Sequence, residues 1–190
     1  MILPIVAYGH PVLRKVAKEI GANYPNLSEL IDNMRQTMYN ASGVGIAAPQ
    51  IGKSIRLFLI DATPFAEDED LSEKDRAQLK DFNKVFINPK VIEENGDEWA
   101  FNEGCLSIPD IQEDVFRPDA VTFTYQDENF KDYKVTLTGI AARIFQHEYD
   151  HLEGILFTDK LSSLKKRILK KKLEKISLGK VIIDYRMRFP

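Results

Sequence analysis

The stretch Gln146-His147-Glu148-Tyr149-Asp150-His151-Leu152-Glu153-Gly154 limits the folds open to this chain more than any other. Two histidines stand at i and i+4, with a glutamate directly after the first. On an α-helix that spacing brings both imidazoles to one face, roughly 5–6 Å apart at Cβ, where they can share a metal ion. The glutamate sits beside them, within reach of a water activated there. Ile140, Ile144, His147 and His151 follow one helical stripe, and Ala141, Phe145, Glu148 and Leu152 follow the next. The polar groups therefore continue an apolar surface, so the rest of the chain has to enclose this helix. Thr138 is its expected N-cap and Gly154 its expected stop. The competing reading is a pair of hydrogen-bonded core histidines. The chain has only three histidines and two are here, which favours a metal. His10, before Pro11, reads as structural.

The enclosing elements can be read in order. A short helix is expected within Pro11–Ala17, and residues 26–41 form an amphipathic helix with Leu27, Leu30, Ile31, Met34 and Met38 at helical spacing. Arg56–Asp61 reads as a buried strand, and Val85–Asn88 as another, closed by Pro89. Val91-Ile92 and Glu98–Ala100 fit a hairpin turning near Asn95-Gly96-Asp97. Val115-Phe116 is a further strand, and Val121–Tyr125 and Tyr133–Leu137 flank a turn at Asp127–Asn129. A last helix spans 161–176, with Leu161, Leu164, Ile168, Leu169, Leu173 and Ile176 as its apolar residues. Val181–Tyr185 would close the chain as a short strand. The expected fold is α+β: antiparallel or mixed β-sheets packed around a central metal-binding helix, with an amphipathic N-terminal helix and a C-terminal helix. The 190 residues are enough for one core, and no repeat or linker divides 1–190.

Charge is distributed unevenly. The balance of 26 basic against 29 acidic residues is −3. Residues 63–83 form an acidic surface insertion with a short helix expected over Ser72–Lys80. Residues 161–190 form a basic helix and tail, with Lys165, Lys166, Arg167, Lys170, Lys171, Lys172 and Lys175 closely spaced. A solvated helix face would explain this, and so would docking to a polyanion. The single cysteine excludes an intramolecular disulfide. No apolar run approaches the roughly 18 residues of a membrane span, and the start lacks a secretory pattern, so a cytoplasmic protein is expected.

Gly43-Val44-Gly45-Ile46-Ala47-Ala48-Pro49-Gln50 lacks the spacing of a phosphate loop. It reads instead as small residues that let another backbone come close, with Gln50 as a lone amide donor. Cys105, in Glu103-Gly104-Cys105-Leu106-Ser107, can be a small buried hydrophobe. It can also be the third ligand that a catalytic two-histidine site needs.

Together and in this order, the Gly43–Gln50, Glu103–Ser107 and Gln146–His151 stretches resemble the three signature motifs of peptide deformylases. The Leu13–Lys18 segment adds to the likeness, which covers nearly the whole chain. The resemblance implies hydrolysis of the N-formyl group from the N-terminal methionine of newly made proteins, with release of formate. It implies Cys105, His147 and His151 as metal ligands and Glu148 as acid/base. Gln50 and the Leu106 N–H would donate to the reacting oxygen. Val44, Gly45 and Gly104 would hold substrate backbone, and Phe101, Ile140, Arg143 and Ile144 would lie near the methionine pocket. It further implies ferrous iron, Fe(2+), in the cell, with Zn(2+), Ni(2+) or Co(2+) able to substitute. Formylmethionyl nascent peptides would be the partners, with the ribosome docking on the basic C-terminal helix; neither membrane nor DNA is expected. Gln112 stands where many bacterial relatives carry arginine, and the acidic insertion exceeds the shortest relatives. Glu103 and Arg117 are expected to pair and hold the Cys105 loop. Two rival classes remain open from residues alone: a metallopeptidase of the His-Glu-x-x-His type, and a binding protein with a closed structural metal site.

Overall fold

The apolar run at Leu57–Asp61 lies between two helical layers, and every one of its five residues is buried. In the computed structural model, which describes residues 1–190, it is one of seven strands. In chain order the elements are β1 (Ile5–Val6), α1 (Leu27–Asn40), β2 (Gly45–Ala47), β3 (Leu57–Asp61), α2 (Glu73–Leu79), β4 (Asn83–Cys105), β5 (Ile108–Gln126), β6 (Asp132–Thr138), α3 (Gly139–Leu152), α4 (Ser163–Ser177) and β7 (Met187–Arg188). Strands β2 to β6 form one antiparallel sheet in sequence order, while β1 and β7 pair in parallel. No helix is long and apolar enough to cross a membrane.

The strand period of two sorts the core. Phe58, Ile60 and Phe86 face α3, in a cluster with Phe123, Ile140 and Phe145. Leu57, Leu59, Val85 and Ile87 face α1, against Leu30, Ile31, Met34 and Met38. Phe123 and Phe145 stack at 3.7 Å between ring centroids, fixing α3 against the sheet. Eleven residues of α3 are buried, as its two apolar stripes require. Thr138 occupies the N-cap position but makes no capping hydrogen bond there. At the other end Gly154 takes a left-handed φ of +70°, with Gly154 N–H donating to His151 O and Ile155 N–H to Asp150 O. That pair of bonds stops the helix at the position where the glycine stands.

Four readings need correction. The expected hairpin at Asn95-Gly96-Asp97 does not exist: β4 runs on to Cys105, and β5 pairs along its whole length. Asn95 stands opposite Ala120 and Glu98 opposite Pro118, so β4 has one residue more between these pairs than β5. Gly96, at φ +85°, supports this bulge; a turn signal inside two long paired strands becomes a kink. The apolar segment at Val181–Tyr185 is not a strand, and Ile182 is 95% exposed. Pairing falls instead at Met187–Arg188, because β1 supplies the partner edge there. In α4, Leu164 and Ile168 are 63% and 65% exposed, while Leu169, Leu173 and Ile176 alone reach the core. The acidic segment carries α2 with Ser72 as its N-cap, and it is not only surface: Leu79 and Phe82 are buried in the core against α3.

Candidate metal centre and active site

Two turns of α3 place His147, Glu148 and His151, and the end of β4 brings Cys105 to them. The donor atoms of Cys105, His147 and His151 all lie within 4.8 Å of one another, with Cys105 Sγ 3.3 Å from His151 Nε2. One thiolate and two imidazoles suit a divalent transition metal, and three protein ligands leave a coordination position for a reactant. The donor set therefore fits a catalytic metal.

Second-layer contacts fix how each ligand points. His147 Nδ1 is 2.9 Å from Glu103 Oε2, which turns Nε2 towards the centre. Arg117 grips Glu103 with Nε at 2.7 Å and a second guanidinium nitrogen at 3.0 Å, and it also reaches Asp150 at 2.7 Å. The expected Glu103–Arg117 pair is thus present, and it extends to α3 through Asp150. Burial alone would raise the Glu103 pKa, but His147 and Arg117 hold it far below the usual carboxylate range. His151 is held well below its ordinary value by burial and by the neighbouring His147 charge, so it stands neutral and ready to ligate.

Glu148 is only 4% exposed, and its Oε2 has no hydrogen-bond partner in the protein. Burial pushes its pKa up to about 7, against the opposing charge of His147. Such a carboxyl can both take and give a proton near neutrality. Gly45 is what lets β2 come so close: a Cβ there would fall on Glu148 Oε1 and lie 2.7 Å from its Cδ. Gln50 is buried beside it. Its Oε1 accepts from Ala47 N–H at 2.8 Å, which leaves Nε2 facing Cys105 Sγ at 3.5 Å and Ser107 Oγ at 3.4 Å. Both are long contacts, so this donor can turn to a stronger acceptor. The Leu106 N–H is used by no acceptor in the protein.

A cleft of about 700 Å³ brings Val44, Gly45, Gln50, Phe101, Gly104, Cys105, Leu106, Ile140, Arg143, Ile144, His147 and Glu148 to one place. Of the expected site residues, His151 alone is not among those that line the cleft, and Gln112 also lines it. Arg143 lines the cleft, but its charge is already engaged: it bonds to Glu103, Val115 O and Trp99 O and covers the Trp99 ring at 4.5 Å. Sequence reasoning missed Phe65, which the acidic segment delivers to the cleft. It missed Asp150 as the partner of Arg117, although Asp150 lies inside the histidine motif. It also missed Tyr185, whose hydroxyl donates to Leu106 O at 2.8 Å. No local signal marks a contact spanning that length of chain.

Comparison with known proteins agrees with this geometry. The profile described as polypeptide deformylase matches residues 2–167. A peptide deformylase of Christiangramia forsetii is 62% identical over 190 residues, covering 100% of this chain and 97% of the relative. One from Flavobacterium johnsoniae is 58% identical, covering 100% and 96%. The crystal structure of a peptide deformylase from Legionella pneumophila superposes with a TM-score of 0.78 at 37% identity, over 95% of this chain and 98% of that one. That of Arabidopsis thaliana peptide deformylase 1B with an inhibitor gives 0.79 at 33%, over 94% and 92%.

Proposed function

The chain belongs to the polypeptide deformylase family, metal hydrolases that remove the N-formyl group from the methionine of new proteins and release formate, and from that premise we propose which residues do the work here. The observation that carries the assignment is Glu148, buried and unpartnered beside three convergent metal donors.

Cys105, His147 and His151 would hold a divalent cation, which would supply Lewis acidity at the formyl group. Glu148 takes the proton of the attacking water. As charge grows on the formyl oxygen, Gln50 Nε2 and the Leu106 N–H receive it, each such donor being worth about 3–4 kcal/mol. Glu148 then hands the proton to the departing nitrogen as its bond to the formyl carbon breaks, giving a neutral amine and formic acid, which loses its proton to solvent as formate. Strand β2 is the sheet's edge, and Val44 and Gly45 on one side with Gly104 on the other accept substrate backbone in an extended form. Phe65, Phe101, Ile140 and Ile144 supply the apolar walls for the methionine side chain, and Arg143 braces them.

Ferrous iron is our choice of ion. A mixed thiolate–imidazole set also accepts zinc, nickel or cobalt, and metal analysis of protein purified without oxygen decides among them. We further assign the basic face of α4, with exposed Leu164 and Ile168 beside its lysines, to the ribosome.

Anaerobic hydrolysis of formyl-Met-Ala-Ser tests the catalytic assignment. The Glu148→Gln variant should retain metal and lose about 10²–10⁴ in kcat. Full activity in that variant, or cleavage of internal peptide bonds by wild type, would overturn it.

A further inference from the structure

The turn Leu106–Ser107 joins Cys105 to Ile108, which face each other at the end of the β4–β5 ladder. Both carbonyls of this turn are held from outside the hairpin. The Tyr185 hydroxyl donates to Leu106 O at 2.8 Å, and the Tyr8 N–H donates to Ser107 O at 2.8 Å. The segments that bring these two tyrosines are tied to each other. Ile5 pairs with Met187 and Val6 with Arg188, through Ile5 N–H to Arg186 O at 2.8 Å and Ala7 N–H to Arg188 O at 2.9 Å. Met187 and Phe189 pack on the apolar cluster that contains Ala7 and Ile108 and borders Cys105. The two ends of the chain therefore form a clamp around the turn. Residues beyond 167 lie outside the stretch that the family profile matches, so none of the three motifs implies this contact.

Burial holds the Tyr185 pKa well above its ordinary value, with the Cys105, Asp184 and Asp110 charges adding to the rise. The hydroxyl stays protonated and acts as a donor. Leu106 has its carbonyl fixed on one side of its Cα and an unused N–H on the other. A donor to developing charge is effective only when it is already aimed, and a small tilt of the turn would swing this N–H away from the reacting oxygen.

We propose that Tyr185 is a positioning residue for deformylation: by holding the Leu106 carbonyl it aims the Leu106 N–H into the cleft. The proposal rests on the catalytic assignment of Leu106 made above.

Tyr185→Phe removes the hydroxyl and keeps the ring that packs the tail. In the metal-loaded full chain, kcat should fall about five- to tenfold. KM for formyl-Met-Ala-Ser should stay within about twofold, because ground-state binding is untouched. In the diamagnetic zinc-loaded protein the Leu106 amide proton and nitrogen resonances should move, as a turned peptide requires, with thermal unfolding and bound metal matching wild type. Ile182→Ala, on the exposed part of the same tail, should change none of these. Unaltered kcat and unmoved Leu106 amide resonances in Tyr185→Phe would overturn the proposal. So would a loss of kcat that comes with lost metal or a lowered unfolding temperature, since that is the mark of a merely structural contact. Wild-type turnover by Glu148→Gln in the same assay would bring down the site assignment itself, so the two failures are distinguishable.

Discussion

At the scale of single residues, the charges that orient the metal ligands are buried only because each has a partner. Arg117 is 3% exposed and joins Glu103 on β4 to Asp150 on α3. Arg117→Ala would leave two carboxylates buried without it, with Arg143 alone at Glu103 and the partly exposed Lys160, at 3.4 Å, alone at Asp150. Removing one member of such a group costs about 3–5 kcal/mol. Because Glu103 also orients His147, metal affinity should fall about 10–100-fold. Denaturant melts and metal titration of the variant measure both, and unchanged metal retention would count against the orienting role. The Glu103–Arg117 pair was expected as a brace of the Cys105 loop, and it is present. Asp150 as its third member was not expected, since the helix motif alone does not say which carboxylate turns inward.

Among elements, β3 is the hub that joins α1, β4 and the acidic segment. Asp61 at its end accepts hydrogen bonds from the Tyr39 hydroxyl at 2.6 Å, Asn83 Nδ2 at 2.9 Å and the Thr63 hydroxyl at 2.6 Å. Burial would raise its pKa, but the bonds from Thr63 and Tyr39 outweigh it and set the value below the ordinary 3.8. A carboxylate shifted down stabilises the fold above its unfolded pKa, and that contribution is lost as pH falls through the folded value. Asp61→Asn puts an amide donor among donors and should cost about 1–3 kcal/mol near neutral pH. Its deficit against wild type should narrow in urea melts below pH ~3.8. A deficit that holds constant with pH would show that the charge is not the cause. Helices α1, α3 and α4 were readable from their apolar period, because each buries one face or nearly all of itself. The β4–β5 hairpin was not: Asn95-Gly96 carries the residues of a tight turn, and only cross-strand pairing reveals it as a bulge.

For the whole molecule, the basic face of α4 lies on the opposite side of that helix from Leu169, Leu173 and Ile176, which reach the core. Cutting the chain after Lys160 would remove the Tyr185 clamp along with the lysines, so charge reversal is the cleaner test. Lys166→Glu with Lys170→Glu, both exposed, should weaken ribosome co-sedimentation and flatten its salt dependence while leaving peptide turnover intact. Co-sedimentation equal to wild type across a salt series would remove the ribosome assignment. By itself the sequence determined the donor set: His147, Glu148 and His151 are brought together by helical spacing, Cys105 is the single thiol, and the apolar period of α3 demands that the helix be enclosed. Those are local properties, fixed by residue type and backbone geometry. The tertiary structure alone decided what aims these groups, from the tail on the Leu106 carbonyl to Phe65 in the cleft and Gly45 against Glu148. Such contacts join residues far apart in the chain, and their geometry follows from packing rather than from any neighbour in sequence.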